Sequence, residues 1–353
     1  MKAHIVGGGF GGLAAAALLI RNADVPGADI TIYEADDVLG GGFFLGGSAA
    51  AGFNLPGSVF DKEFRCTFDL LKSIPSARNP SISVTEDVAL EDLVLVTTGS
   101  QAADLSAGSM TEVPSPRPSG RSWALWERLA QGRRDFGNSD VFFGTARIPD
   151  SLWVTFTVTD TGPEFVNQIT ALTGSEAGLG ALVTLKDSGW VLSLSVFHQP
   201  EIIGQPKGTS VWWGYGLYPE RNGDFVRKPM AACTGAEILE ETLQQLRFDR
   251  QLAAIKASSI CVPCYMPYVN NIWLPRSRGD RPPPVLERAT NLGLIGQYVE
   301  VPKEIAFTIE CSVRTAWEAI YRLLDRGPAP PPVYQGQYDP RALFAALKVF
   351  VSR

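Results

Sequence analysis

The first residues of the chain that could do chemistry form a run of glycines. Gly7, Gly9 and Gly12 stand in a G-x-G-x-x-G pattern between a strand-like apolar segment, residues 3–6, and a helix-forming segment, residues 13–20. In this arrangement the first glycine allows a tight turn and the third lets helix and strand pack closely. The second lets a pyrophosphate approach the N–H groups at the helix N-terminus. The pattern predicts a dinucleotide site, and the alternative is a chance glycine loop.

An acidic residue and a second glycine run extend this prediction. Glu34 follows the next strand-like segment, Ile30–Tyr33, at the point where a carboxylate can bind ribose hydroxyls. Gly40, Gly41 and Gly42 come soon after, in a loop crowded with glycine. Glycines of this kind let the backbone pass close under a larger cofactor. The sequence therefore favours FAD over NAD.

Two further short motifs admit more than one interpretation. Thr98, Gly99 and Ser100 follow a short apolar run and can form either a second backbone approach to the cofactor or an ordinary turn. Cys261 and Cys264 have C-x-x-C spacing. Because no second ligand pair stands near them and the chain has only 2 histidines, we expect a packed or incidental pair of thiols and no metal site.

The elements that must position these motifs predict an α/β protein. A strand, glycine turn, helix and strand open a Rossmann-type domain, to which the chain returns after a β-rich insert. Residues 153–218 of this insert contain four strand-like runs, which predict a mostly antiparallel arrangement. The expected units are a discontinuous FAD-binding domain of residues 1–105 and 285–325, a linker of residues 106–121, a β-rich (α+β) substrate or lid domain of residues 122–284, and a Pro-rich spacer with an amphipathic helical tail in residues 326–353.

Single elements are predicted from local signals. Residues 64–74 have helical spacing that ends at a proline, and residues 311–324 have the pattern of an amphipathic helix. Thr234 and Glu237 occupy the N-cap and N3 positions of a capping box. Short buried strands are predicted at residues 93–96 and 292–296.

The last helical segment, residues 342–351, is apolar with basic residues at its margins. Such a helix can lie in a membrane interface, or it can dock on the protein's own surface or on a dimer partner. Peripheral association is the most that the sequence predicts, because its longest apolar run is far shorter than the about 20 residues that a spanning helix needs.

Composition excludes several classes of protein. The 31 Lys+Arg against 37 Asp+Glu give a net charge of -6, which leaves no electrostatic footprint for a nucleic-acid backbone. The first apolar stretch follows a strand and a glycine run and lacks a basic leader, so it does not have the pattern of a signal peptide. The 5 cysteines fit a reducing compartment. We therefore expect a cytoplasmic protein.

Longer motifs, taken in order, resemble one family. They include HIVGGGFGGLAAAALLIRNADVPGADITIYEADDVLGGG, FRCTFDLLKSIPS, VWWGYGLYPERNGDFVRKPMAACTGAEI, PRSRGDRP and LGLIGQYVEVPKEIAFTIECSVRTAWEAIY. Together they cover most of the chain. The sequence resembles the oleate hydratases, FAD-containing fatty-acid hydratases also called the myosin-cross-reactive antigen family.

The resemblance implies non-covalent FAD, a homodimer, a tail that docks on membranes, and addition of water to the cis double bond of oleate-like fatty acids. The flavin is expected to assist structurally and electrostatically, with no net redox change. The FAD contacts that the resemblance implies are Gly7, Gly9, Gly11, Gly12, Glu34, Gly41 and Gly42, and, around the flavin, Thr98, Gly99, Ser100, Gly296, Gln297, Thr308, Ser312 and Val313.

The chain also departs from the family pattern. A large internal block is missing near residues 88–89, and with it the family's catalytic Tyr and much of the substrate channel. The acid that would polarise water has no clean match. Glu63 is the nearest acid and Asp61 the next, and either can instead favour the start of the following helix. A flavin oxidoreductase of the amine oxidase or desaturase kind, and a non-catalytic FAD- or lipid-binding remnant, stay open as alternatives.

Overall fold

The computed structural model describes residues 1–35, 37–41, 46–54, 63–76, 80–81, 83–85, 104–116, 124–179, 182–200, 202, 205–304 and 308–351. These residues form a mixed helix and sheet structure. Its strands are β1 Ala3–Val6, β2 Ile30–Tyr33, β3 Gly46–Ser48, β4 Gly52–Asn54, β5 Ser106–Ala107, β6 Trp153–Asp160, β7 Val183–Leu185, β8 Leu192–Val196, β9 Ser210–Gly216 and β10 Ser259–Met266. Its helices are α1 Phe10–Ala23, α2 Arg65–Lys72, α3 Ala124–Ala130, α4 Ile148–Ser151, α5 Glu164–Thr173, α6 Gly235–Gln245, α7 Leu252–Ser258, α8 Ile309–Leu324 and α9 Pro340–Val351.

The predicted β–α–β opening is confirmed. Strands β1 and β2 pair in parallel, with Ala3 opposite Ile30 and Val6 opposite Tyr33. Helix α1 begins at Phe10, three residues before the predicted start, because its first turn includes the glycines that follow. The alanine-rich sequence of α1 is well suited to a helix, and the consecutive β-branched residues 30–32 suit β2.

A helix late in the chain packs against this opening unit. Helix α8 packs against α1, and Val313, Ala316 and Trp317 share a buried cluster with Ala14 and Leu18. Small side chains on α1 let the two helices approach closely. Predicted helices 64–74 and 311–324 are confirmed as α2 and α8.

The strands expected to be mostly antiparallel pair in that way. A six-stranded antiparallel sheet has the order β5-β10-β6-β9-β8-β7, and α5, α6 and α7 cover one of its faces. Phe165 of α5 stacks on Trp212 of β9 with ring centres 4.0 Å apart. Helix α6 opens with the predicted capping box, in which Thr234 and Glu237 each accept a hydrogen bond from the other's backbone N–H.

The hairpin of β3 and β4 connects the opening unit to the insert. The backbone N–H of Phe53 donates to Oγ1 of Thr159 at 2.9 Å, on the face of the sheet opposite α5. Phe53 packs there with Val211 and Phe197.

Two local predictions need correction, and a third cannot be compared. The expected linker, residues 106–121, begins with β5, which pairs with β10 through Ala107 and Cys264. The expected strand 292–296 contains only one bridge, between Gly293 and Val285. Its chain runs irregularly along α8, where a Cβ on Gly293 would lie 3.0 Å from Cβ of Ala319. Residues 93–96 lie outside the described residues.

The C-terminal segment is attached to α8. Nε1 of Trp317 donates to the carbonyl of Pro328 at 2.8 Å, and Nη1 of Arg314 donates to the carbonyl of Pro331. Helix α9 follows and leaves Leu343, Phe344 and Leu347 exposed. Among the described helices, none combines the length and the apolar character needed to cross a bilayer.

Candidate functional site

The glycine turn after β1 is held in a fixed shape. Gly7 has φ +99°, a value that favours glycine, and its N–H donates to the carbonyl of Tyr33 at 2.8 Å. A Cβ on Gly12 would overlap the carbonyl oxygen of Gly7, so only glycine lets α1 approach the turn this closely. A Cβ on Gly9, by contrast, would meet nothing within 4 Å. The N-terminus of α1 is therefore open at Gly9, where a ligand phosphate can approach.

The second glycine loop closes on the first. The N–H of Gly40 donates to the carbonyl of Gly8 at 2.8 Å, and Gly40 forms a bridge with Gly9. A Cβ on Gly41, which has φ +57°, would lie 3.2 Å from Cα of Gly9. The structure thus brings Gly41 together with the G-x-G-x-x-G turn.

Glu34 lies at the same turn. Its Oε2 accepts from the N–H of Gly8 at 2.7 Å, and its Oε1 accepts from the N–H of Ala35 at 2.6 Å. The carboxylate is half-buried beside Leu39. An acceptor in this position can bind hydroxyl groups of a ligand that reaches the turn.

Helix α8 brings its N-terminus to α1. A Cβ on Gly11 would lie 3.1 Å from Cγ2 of Ile295 and 3.8 Å from Cβ of Ser312. Thr308 is the N-cap of α8, and its Oγ1 accepts from the N–H of Cys311 at 3.1 Å. Because helix N-termini carry partial positive charge, their convergence favours an anionic ligand.

The loop before α8 joins the same region. The N–H of Gly296 donates to Oγ1 of Thr315 at 3.0 Å, and the carbonyl of the buried Gln297 accepts from Nη1 of Arg281 at 2.9 Å. Val313 is fully buried in the cluster between α1 and α8, so its side chain packs in the core. The predicted site residues Gly42, Thr98, Gly99 and Ser100 lie outside the described residues.

Glu63 stands two residues before α2. Its Oε2 lies 3.7 Å from Nη2 of Arg65, and its side chain is partly exposed. The sequence left open whether Glu63 serves the N-terminus of α2. In the structure a different acid binds there, because Glu310 accepts from the N–H groups of Cys66 and Thr67, each at 2.9 Å.

Glu310 was missed by the sequence reasoning. It is buried, and its Oε1 also lies 2.8 Å from Nη2 of Arg314, whose Nε lies 3.0 Å from Oε2 of Glu304. This carboxylate therefore joins the N-terminus of α2 to the first turn of α8. It brings the α2 end, with Glu63 before it, to the same end of α8 as Thr308.

The cysteines are packed into the structure. Cys261 and Cys264 belong to separate buried clusters, because an interval of three residues puts them on opposite faces of β10. Burial raises the pKa of the Cys261 thiol and raises that of Cys311 to about 12. These two thiols stay protonated at neutral pH and are poor nucleophiles, because the thiolate is the reactive form.

Comparison with known proteins decides the family. A model of the MCRA family matches residues 1–91 and 85–321 of this chain. The chain belongs to the MCRA family. It is 36% identical over 284 residues to the oleate hydratase of Streptococcus pyogenes serotype M49 (strain NZ131), an alignment that covers 77% of this chain and 47% of the relative. It is 29% identical over 306 residues to the linoleate hydratase of Lactiplantibacillus plantarum, which covers 81% of this chain and 52% of that relative.

These matches confirm the resemblance to the oleate hydratases. This member of the MCRA family spans about half the length of the curated relatives it matches. The two segments matched by the family model overlap at residues 85–91. This overlap includes residues 88–89, where the resemblance predicted that an internal block is missing. Partial coverage of the relatives agrees with that expectation.

Proposed function

We propose that this chain is an FAD-binding fatty-acid hydratase, a hydro-lyase that adds water to the cis double bond of unsaturated fatty acids such as oleate. The observation that carries the proposal is the approach of the α1 and α8 N-termini at Gly11 and Ser312, with the N-terminus of α2 joined to α8 through Glu310. Membership of the family, and the hydratase names of the two relatives, supply the reaction class.

The residues present fit FAD. The open space at Gly9 admits a diphosphate to the amides that begin α1, and Gly41 allows a second stretch of backbone to pass close by. The Glu34 carboxylate, which now accepts a hydrogen bond from the N–H of Gly8, would accept hydrogen bonds from ribose hydroxyls instead. Gly296, Gln297, Thr308 and Ser312 would contact the flavin from the α8 side. When bound, the flavin would supply structural and electrostatic support, with no net change in oxidation state.

The chain's own residues would carry the hydration through positioning and proton transfer. One alkene carbon takes a proton and the other forms a bond to the oxygen of water, which gives up a proton in turn. We assign the water-directing carboxylate to Glu63, which precedes α2 at the shared end of the helices. The donor of the first proton is not assigned, because the resemblance places the family's catalytic Tyr in the missing block.

The half-length of the chain favours one second candidate, a non-catalytic protein that binds FAD or a lipid. In that case the glycine turn and the α8 end keep their ligand while hydration is lost. A flavin oxidoreductase is the remaining alternative from the sequence. The experiment below separates all three.

The tail, oligomer and cellular address belong to the same proposal. Helix α9 exposes Leu343, Phe344 and Leu347 and has Arg341 and Lys348 beside them, a composition suited to peripheral binding at an anionic lipid surface. The homodimer and the cytoplasmic address are carried by the resemblance and by composition.

The test begins with the visible spectrum of purified protein after incubation with FAD and desalting. We expect retained flavin absorption that Gly9→Val abolishes, because the new side chain occupies the phosphate approach. Gly27→Val is the matched control, since a Cβ there lies at an ordinary 3.8 Å from Ile20. Absence of flavin from the folded wild-type protein contradicts the proposal.

The flavin-loaded protein is then given oleate, and the product is examined by mass spectrometry. A hydroxy fatty acid supports the hydratase. Retained flavin with no product supports the non-catalytic candidate. Bleaching of the flavin by substrate, with reoxidation by oxygen, supports the oxidoreductase.

A further inference from the structure

Arg281 is a buried cation beside the candidate cofactor site. Its residue is 5% exposed, and its Nη1 donates to the carbonyl of Gln297 at 2.9 Å. The guanidinium carbon lies 5.0 Å from the ring centre of Phe142. This charge thus contacts a carbonyl dipole and an aromatic face.

The charge of Arg281 is not neutralised within the described part of the chain. None of the described carboxylates forms an ion pair with it, and the nearby Glu300 is held by Arg276 in two hydrogen bonds of 2.6 and 3.1 Å. The buried Nε of Arg281 has no hydrogen-bond acceptor among the described residues. Burial accordingly lowers the pKa of Arg281. Buried charges are ordinarily paired, and a buried donor with no acceptor calls for a physical account.

The position of Arg281 suggests that account. Gln297 follows Gly296, whose N–H donates to Thr315 on α8, and the Arg281 guanidinium lies close enough to Cys311 to act on the pKa of its thiol. Cys311 lies in the first turn of α8. A cation beside a helix N-terminus is unfavourable unless an anion faces both of them, because the two have the same sign. Glu310, in the same turn, is already engaged by Arg314, Cys66 and Thr67.

We propose that Arg281 stabilises negative charge on a flavin ring that binds next to Gln297. This inference rests on the proposed FAD site. A positive charge near the ring favours the anionic reduced form over the neutral oxidised form, and so raises the reduction potential of the flavin. The charge does so without redox turnover in the hydration itself.

The test compares the affinities of the wild-type protein for oxidised FAD and for FAD reduced with dithionite under anaerobic conditions. We expect reduced FAD to bind at least tenfold more tightly, since one nearby opposite charge commonly changes an ionisation equilibrium by about tenfold or more. A tenfold ratio corresponds to about 30 mV for a two-electron couple. Equal affinities in a protein that retains FAD overturn the inference while leaving the proposed FAD site intact.

Variants assign the effect to the residue. Arg281→Gln keeps a donor for the Gln297 carbonyl but removes the charge, and it should reduce the affinity ratio about tenfold. Arg281→Lys keeps the charge and should retain most of the ratio. Arg276→Gln is the matched control, because Arg276 is a neighbouring arginine already paired with Glu300. An unchanged affinity ratio in Arg281→Gln, or an equal loss in Arg276→Gln, overturns the inference. Where a variant does not fold, the affinity ratio of the wild-type protein still tests the inference, because equal affinities overturn it.

Discussion

The guanidinium of Arg65 lies 5.2 Å from the ring centre of Tyr334, so the first residue of α2 contacts the C-terminal segment. Tyr334 in turn donates its hydroxyl to Oδ2 of Asp339 at 2.9 Å, and Oδ1 of Asp339 accepts from the N–H of Arg341 at the start of α9. Glu63, on the other side, lies 3.7 Å from Arg65. The candidate acid and the candidate lipid-binding helix are thus separated by only a short chain of contacts.

Glu63→Gln is expected to reduce oleate hydration by about 10²-fold or more, because removal of a positioned proton acceptor typically costs 10²–10⁴-fold. Flavin absorption of the variant should match that of the wild-type protein. Product formation is followed by mass spectrometry. Asp69→Asn is the control, since Asp69 lies on the exposed side of the same helix and pairs with Arg21. Hydration by Glu63→Gln at the wild-type rate would remove Glu63 from the mechanism.

Glu310→Gln is expected to lower the free energy of unfolding by about 3–5 kcal/mol, because it leaves Arg314 with an incomplete buried network. The measurement is urea denaturation of the folded protein. Glu318→Gln is the control: it breaks an ion pair with the half-exposed Arg322 at the same i,i+4 spacing on α8, which is worth only about 0.5 kcal/mol. Similar losses in the two variants would show that Glu310 does not hold α2 to α8.

Asp160→Asn is expected to raise the free energy of unfolding, relative to that of the wild-type protein, more at neutral pH than in acid. Burial raises the pKa of Asp160, so the folded protein holds this proton more tightly than the unfolded chain does. The wild-type protein therefore loses stability as pH rises from the unfolded pKa through the raised folded one, and the variant lacks this loss. The Asn keeps an oxygen acceptor for the N–H of Gly162. Urea denaturation from pH 4 to 7 measures the effect, and a difference between the two proteins that does not grow with pH contradicts it.

Phe344→Asp is expected to weaken binding to anionic phospholipid vesicles about tenfold or more, because burial of a side chain of this size contributes about 1.5–3 kcal/mol. Co-sedimentation with the vesicles measures the bound fraction. Leu172→Asp is the control, as Leu172 is an exposed leucine on α5, outside the tail. Equal binding by wild type and Phe344→Asp would assign α9 to another surface.

The fold was predictable where the signals are local. The glycine turn, each element of the β1–α1–β2 order and the capping box of Thr234 are marked by patterns in short stretches of sequence, and the structure has them as predicted. Strand β5 escaped prediction because two residues in a Ser- and Pro-rich stretch have no periodicity, and only β10 makes them a strand.

The site was predictable on its glycine side and less so on its charged side. Glu310 and Arg281 act on groups distant in sequence, the amide of Cys66 and the carbonyl of Gln297. Local patterns cannot reveal such partners, since α2 and α8 meet only in the folded chain. The only local signal for either residue is the pair of basic residues in the Arg-Gly-Asp-Arg-Pro stretch, which contains Arg281.

The attachment of the Pro-rich segment to α8 determines where the protein can be shortened. A chain that stops at Asp325, the C-cap of α8, would remove the carbonyl acceptors of the Trp317 indole and of Nη1 of Arg314. Arg314 also holds Glu310, so the damage would reach α2 and the Glu63 end of the site. Expression clones that remove the amphipathic helix for crystallisation should therefore keep the chain through Pro331.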